Sequence, residues 1–75
     1  MTKLPRITAA DLMRAMARDG WQVKRQEGSH IQLRHPIKSG RVTIAVHAGS
    51  IIKPKVLLSA LRQAGLTVDE LRKLL

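Results

Sequence analysis

Three histidines, His30, His35 and His47, are the side chains of this chain best suited to moving protons near neutral pH. His30 lies in "EGSHIQLRHP", the stretch from Glu27 to Pro36, directly after a glycine and a serine. Glu27–Gly28 reads as a turn, and the histidine then opens an alternating run. Ile31 and Leu33 form its inward set; His30, Gln32 and Arg34 form its outward set. In "RVTIAVH", Val42, Ile44 and Val46 alternate with Arg41, Thr43, Ala45 and His47. Parity therefore gives His30 and His47 one face and leaves open whether they meet, because parity does not carry register. His35 has the inward parity just before a proline and reads as structural. A histidine on a polar face is more often solvated than catalytic, so its surroundings must decide between general acid–base chemistry and none.

Those surroundings are cationic. The chain carries fourteen Lys and Arg against five Asp and Glu, for a net charge of +9. Between Gly20 and Leu66 the basic residues are Lys24, Arg25, Arg34, Lys38, Arg41, Lys53, Lys55 and Arg62, opposed only by Glu27. That segment holds +7 of the total, and the two ends are nearly balanced. A charge so placed points to a polyanion, with nucleic acid first. Lys24, Arg25, Arg34, Arg41, Lys53 and Lys55 are the candidate RNA contacts. An anionic membrane ranks second, because no segment sets a long basic face against bulky apolar residues.

Other chemistries fit poorly. His30 and His35 are five apart on a strand and face opposite ways, and there is no cysteine, so no metal site is expected. Acidic partners near the histidines are lacking, which removes a nucleophilic triad. There is no Gly-rich loop of P-loop or dinucleotide type, and no cofactor is expected. "AGS", Ala48 to Ser50, reads as a loop whose amides are able to meet a phosphate. Single-strand binders stack bases on Phe, Tyr or Trp. Here Trp21 is the sole aromatic of that kind, and parity assigns it to the core.

The elements that must position these residues are well punctuated. "ITAADLMRAMARDG" is a helix, with Thr8 as N-cap, Asp11 in the capping-box position, Ile7 and Leu12 as a staple, and Gly20 as its stop. Ala9, Leu12, Met13 and Met16 give it one apolar face. "WQVKRQ" places Trp21 and Val23 inward, "SHIQLRH" is the second strand, Pro36 to Gly40 is a polar loop, and "RVTIAVH" is the third strand. Pro54 opens a second helix whose face is Leu57, Leu61 and Ala64 and which stops at Gly65. Thr67 and Glu70 form a full capping box for a short last helix, with Leu66 and Leu71 as staple. The order α-β-β-β-α, with a short extra C-terminal helix, predicts an α+β fold. Helices cover one face of a three-stranded antiparallel sheet and the other face stays open, as in a double-stranded-RNA-binding domain.

At 75 residues one domain is expected, 1–75, with 1–7 as an N-terminal tail. No apolar run approaches the roughly 20 residues needed to span a bilayer. "MTKLPRIT" is too short and polar for a secretory signal. Absent cysteine fits a reducing compartment, and the expected location is the cytoplasm.

A helix ending in "DGW", then "R..GSH", a strand ending "HP", "G.VTI" with a following histidine, a proline-started helix and "LRQAGLT" resemble the HicA family over about residues 8–72. These are small toxins of bacterial HicA–HicB toxin–antitoxin modules. The resemblance implies a dsRNA-binding-domain-like fold and an mRNA interferase that cleaves RNA without a metal, using the histidine of the GSH motif. By position that histidine is His30, preceded by Gly28 and Ser29, and His47 corresponds to the family's histidine after the third strand. Ser29 and His47 are the possible supporting residues. The implied partners are mRNA and a HicB-type antitoxin. The alternative of another class is a non-catalytic RNA-binding module of the same fold, in which His30 only touches RNA; intolerance of expression without a partner would separate the two.

Overall fold

The computed structural model describes residues 3–47 and 49–75. Met1 and Thr2 of the expected tail and Ala48 of the "AGS" loop lie outside the described residues. The elements run α1 (Ala9–Asp19), β1 (Gln22–Glu27), β2 (His30–Arg34), β3 (Arg41–Ala45), α2 (Pro54–Ala64) and α3 (Val68–Leu74). The strands form an antiparallel meander in the order β1-β2-β3. This is the expected α+β order with its closing helix. No helix among the described residues is long and apolar enough to cross a membrane.

Helix boundaries follow local chemistry. At α1 the Asp11 amide donates to Thr8 Oγ1 at 3.2 Å, and the Thr8 amide donates to Asp11 Oδ2 at 3.1 Å. Thr67 and Glu70 make the same reciprocal pair at α3. Each box satisfies two amides that the first turn leaves free, a contribution of about 1 kcal/mol. These bonds favour the ionised acids, so the hydrogen bonds from Thr8 and Thr67 hold the Asp11 and Glu70 carboxyls below their ordinary range. At α2, Pro54 takes the first turn, where its missing N–H costs nothing.

The core lies between the helices and one sheet face. Ile31 pairs with Ile44 and Leu33 with Val42, so four aliphatic side chains share that face. They pack with Leu12 and Met16 of α1, Trp21, Leu57 and Leu61 of α2, and Leu71 of α3, all buried. Ala15 is buried on α1 and Met13 only partly, so the helix presents a face rotated slightly from the expected one.

β1 departs from the expected pattern. Trp21 is buried, but Val23 is 55% exposed. The register shifts between Val23, opposite Leu33, and Arg25, opposite Gln32, so Lys24 is an inserted residue. β1 is an edge strand, exposed along its whole length. A bulge with basic neighbours bends such an edge and discourages further strand pairing.

His35 is structural, as expected, and its bonds show how. It leaves the sheet after β2. Its Nδ1 accepts the amides of Ile37 and Lys38, each at 3.0 Å, so Nε2 carries the proton and donates to the Asp19 carbonyl at 2.7 Å. The ring stands edge-on to Trp21, centroids 5.1 Å apart. It fills the space beside Gly20, whose φ of 105° ends α1; a β-carbon there would lie 2.6 Å from His35 Nε2. Asp19 also accepts from Trp21 Nε1 and pairs with Lys38 Nζ at 2.7 Å, while Lys38 reaches the Ala64 carbonyl. One cation of the basic segment is thus committed to joining α1, the 35–40 loop and the end of α2.

The N-terminal segment also packs. Ile7 is in the core, its carbonyl accepts the Ile52 amide at 2.9 Å, and Thr8 bridges to Ile51. The entries to α1 and α2 are therefore pinned together.

Candidate active site

The turn that presents His30 is one residue later than expected. It is Gly28–Ser29, not Glu27–Gly28, and it makes a two-residue hairpin in which Glu27 and His30 are partners. Gly28 has φ of 58° and Ser29 has no positive φ, the signature of a II′ turn, whose twist matches that of the flanking strands. The shift overturns the expectation that no acid lies near a histidine: Glu27 sits directly across from His30. Glu27 is itself ion-paired with Arg25, two residues back on the same strand. The pair is exposed, so it contributes little to stability.

On its other side His30 partners Ala45. Ser29 supports this edge through its backbone, its carbonyl accepting the Val46 amide at 2.6 Å just past β3. Register then fixes the outer face. It carries Arg25 and Glu27 from β1, His30, Gln32 and Arg34 from β2, and Arg41, Thr43 and Ala45 from β3. Arg34 and Arg41 are cross-strand partners, and Arg34 Nη1 also donates to the Gly40 carbonyl at 3.1 Å.

The outer face is less open than expected on its β3 side. Gln63 of α2 accepts the Thr43 amide through Oε1 at 2.7 Å, and its Nε2 donates to Ser59 Oγ at 3.0 Å. This satisfies an edge amide and holds the flank of α2 beside the sheet. As a result His30, Thr43 and Ala45 line a depression of about 250 Å³ with Lys55, Val56 and Ser59. Lys55 is thereby brought to the histidine from 25 residues further along the chain.

His47 and Lys53 are placed one step away. They line a neighbouring hollow of about 470 Å³ with Ser50, Ile51 and Ile52, which shares Ala45 and Val56 with the first. His30 and His47 therefore line adjoining hollows, although His47 lies beyond the end of β3. Lys24, at the bulge in the opposite edge strand, is not part of either hollow. Thr43 is on the open face by parity. Val56 and Ser59 were not legible as site residues, because the docking of α2 on β3 brings them there, and Ile51 and Ile52 reach it through a loop pinned to Thr8 and Ile7.

The charge is arranged for an anion. Among the described residues Arg34, Arg41, Lys53 and Lys55 have no carboxylate partner, whereas Lys38, Arg14 and Arg25 do. His30 is exposed and its imidazole is bonded to no described residue. Among the described residues no three His, Asp or Glu side chains gather as a metal-binding group. The site thus brings together an unengaged imidazole, a lysine lining the same depression and an arginine pair on the same face.

The family model described as HicA toxin of bacterial toxin-antitoxin matches residues 9–66, a span that runs from the start of α1 past the end of α2 and includes every residue of the site. A search of curated proteins gave no significant match. With the matched span covering most of the chain and the α-β-β-β-α order in place, this protein belongs to the HicA toxin family.

Proposed function

We propose that this toxin is an endoribonuclease that uses His30 for acid–base cleavage of RNA. The observation that carries this reading is the unengaged His30 imidazole in one depression with Lys55, on a face where Arg34 and Arg41 have no carboxylate partner among the described residues. RNA supplies its own nucleophile, the 2′-hydroxyl. His30 takes that proton, or in protonated form gives one to the departing 5′-oxygen; the first step forms a 2′,3′-cyclic phosphate and leaves a 5′-hydroxyl. Lys55 lies where a cation offsets charge that builds on the phosphorus oxygens. Arg34 and Arg41 hold flanking phosphates and carry no sequence information.

His30→Ala is the test. General acid–base assistance supplies about 10²–10⁴-fold, so cleavage by the variant should fall by that factor while RNA affinity stays within about twofold. Cleavage by the native chain should persist in EDTA, and a DNA strand lacking the 2′-hydroxyl should remain intact. Unchanged cleavage by purified His30→Ala would leave only a binding module.

Family membership implies a HicB-type antitoxin as partner chain. We propose that it is acidic where it meets this toxin and covers the outer sheet face, because unpaired cations would steer it there. Hydrogen exchange of the complex should slow at β2, β3 and the Ser29–His30 edge. Protection confined to α1 would contradict it.

A further inference from the structure

We infer that the hollow beside the His30 depression is a base-binding subsite, which receives one nucleobase of the RNA strand next to the phosphate cut at His30. The inference rests on the proposed ribonuclease reading and adds a specificity site to it. Three observations carry it. The first is composition: Ala45, Ile51, Ile52 and Val56 supply apolar walls, and His47, Ser50 and Lys53 supply a polar rim. A mostly apolar cleft with a few convergent polar groups is how small planar ligands are held. Its volume of about 470 Å³ lies within the range of about 300–1,000 Å³ usual for such sites. The second is availability. The side chains of His47, Ser50 and Lys53 have no hydrogen-bond partner among the described residues, and Ile51 stays 45% exposed although the core is close by. Those polar groups are free to read a base edge, and the exposed isoleucine is free to lie against its face.

The third observation is position. The hollow shares Ala45 and Val56 with the depression that holds His30 and Lys55, so a phosphate at His30 puts the adjoining nucleoside at its mouth. The walls are also held in place. Ile51 bridges to Thr8, the Ile52 amide donates to the Ile7 carbonyl, and the Ser50 amide donates to the His47 carbonyl at 3.1 Å. A chain without Phe or Tyr and with its Trp in the core has no aromatic platform, so a walled slot is the means left to it for gripping a base.

The test has two arms. In the first, the four nucleoside 3′-monophosphates, and inorganic phosphate as control, are titrated into the His30→Ala chain and followed by amide NMR. The nucleotides should shift the amides of Ala45, Ile51, Ile52 and Val56, with one base giving the tightest response, and phosphate alone should not. This arm needs no cleavage, so it stands even if the ribonuclease reading fails. In the second, native chain and Ile51→Asp cut an RNA oligonucleotide and its copies with one abasic ribose on either side of the cut. One abasic position should reduce native kcat/KM about tenfold or more, the scale of losing one stacked base, and should cost Ile51→Asp little further. Nucleotides that shift these amides no more than phosphate does would overturn the subsite and leave the hollow as a seat for an antitoxin side chain. Equal losses from the abasic ribose in native and variant chains would overturn it as well.

Discussion

Glu27 and His30 are partners across the two-residue turn Gly28–Ser29, so the position of the histidine at the rim of the sheet depends on one glycine with φ of 58°. A β-carbon at Gly28 would meet nothing within 4 Å, so the constraint there is conformational and not steric crowding by neighbours. Gly28→Ala should cost about 1–2 kcal/mol, the penalty for a side chain in the left-handed region. Gly28→Asn should cost less, because a short polar side chain tolerates that region. Urea denaturation measures both. An alanine variant as stable as the native chain would show that the turn adopts another form.

Gly20 poses a different problem. There the left-handed φ coincides with contact against the His35 ring, so Gly20→Ala adds a clash to the backbone strain. It should destabilise by more than about 2 kcal/mol and by more than Gly28→Ala. Displacing His35 also removes the acceptor for two loop amides. Hydrogen exchange at Ile37 and Lys38 should therefore quicken more than the global change explains. If those amides follow global unfolding alone, His35 is not the anchor of that loop.

Much of this was legible in the sequence, and the failures have a common cause. The capping pairs Thr8–Asp11 and Thr67–Glu70, the stops at Gly20 and Gly65, and the pairing of Ile31 and Leu33 with Val42 and Ile44 are local or period-two signals, and they hold. His30 on the polar face and His35 in a structural place follow from the same parity. Val23 keeps the inward parity, opposite Leu33, but is exposed because β1 is the edge strand and lies uncovered. Glu27 failed because turns of "EG" and "GS" differ by one residue, and that residue decides what faces His30. Lys55 is a candidate contact by charge, but its place beside His30, like that of Ser59, comes from the packing of α2 on β3, and the Ser50–Ile52 walls come from a loop tied to Ile7 and Thr8; period and spacing encode neither.

Acid should weaken the fold through its helix caps. The folded carboxyls of Asp11 and Glu70 titrate below their ordinary values of 3.8 and 4.5, because the capping bonds favour the charged form. A depressed folded value means a contribution present in full above the unfolded value and lost as pH falls through the lower, folded one. The urea midpoint of the native chain should thus decline below about pH 4.5, starting with Glu70 and followed by Asp11. The Asp11→Asn, Glu70→Gln double variant should show a flatter acid limb. Identical limbs in the two proteins would remove the caps from the explanation.

Arg34 and Arg41 occupy opposing positions on β2 and β3, and like charges directly opposite each other work against the sheet. The hydrogen bond from Arg34 to Gly40 splays one of them but supplies no negative charge. A polyanion would relieve the repulsion, so stability and binding should move in opposite directions when one arginine is removed. Arg41→Thr keeps a side chain suited to a strand and should gain about 0.2–1 kcal/mol at low salt. The gain should shrink at physiological salt, where charges more than about 8 Å apart are screened. The same variant should bind RNA more weakly, with the slope of log affinity against log salt reduced by about 0.7, one phosphate contact on a single strand. Arg41→Lys should restore the slope and remove the stability gain, since it restores the charge. An Arg41→Thr chain with native stability and a native salt slope would show that this pair neither strains the sheet nor touches the RNA.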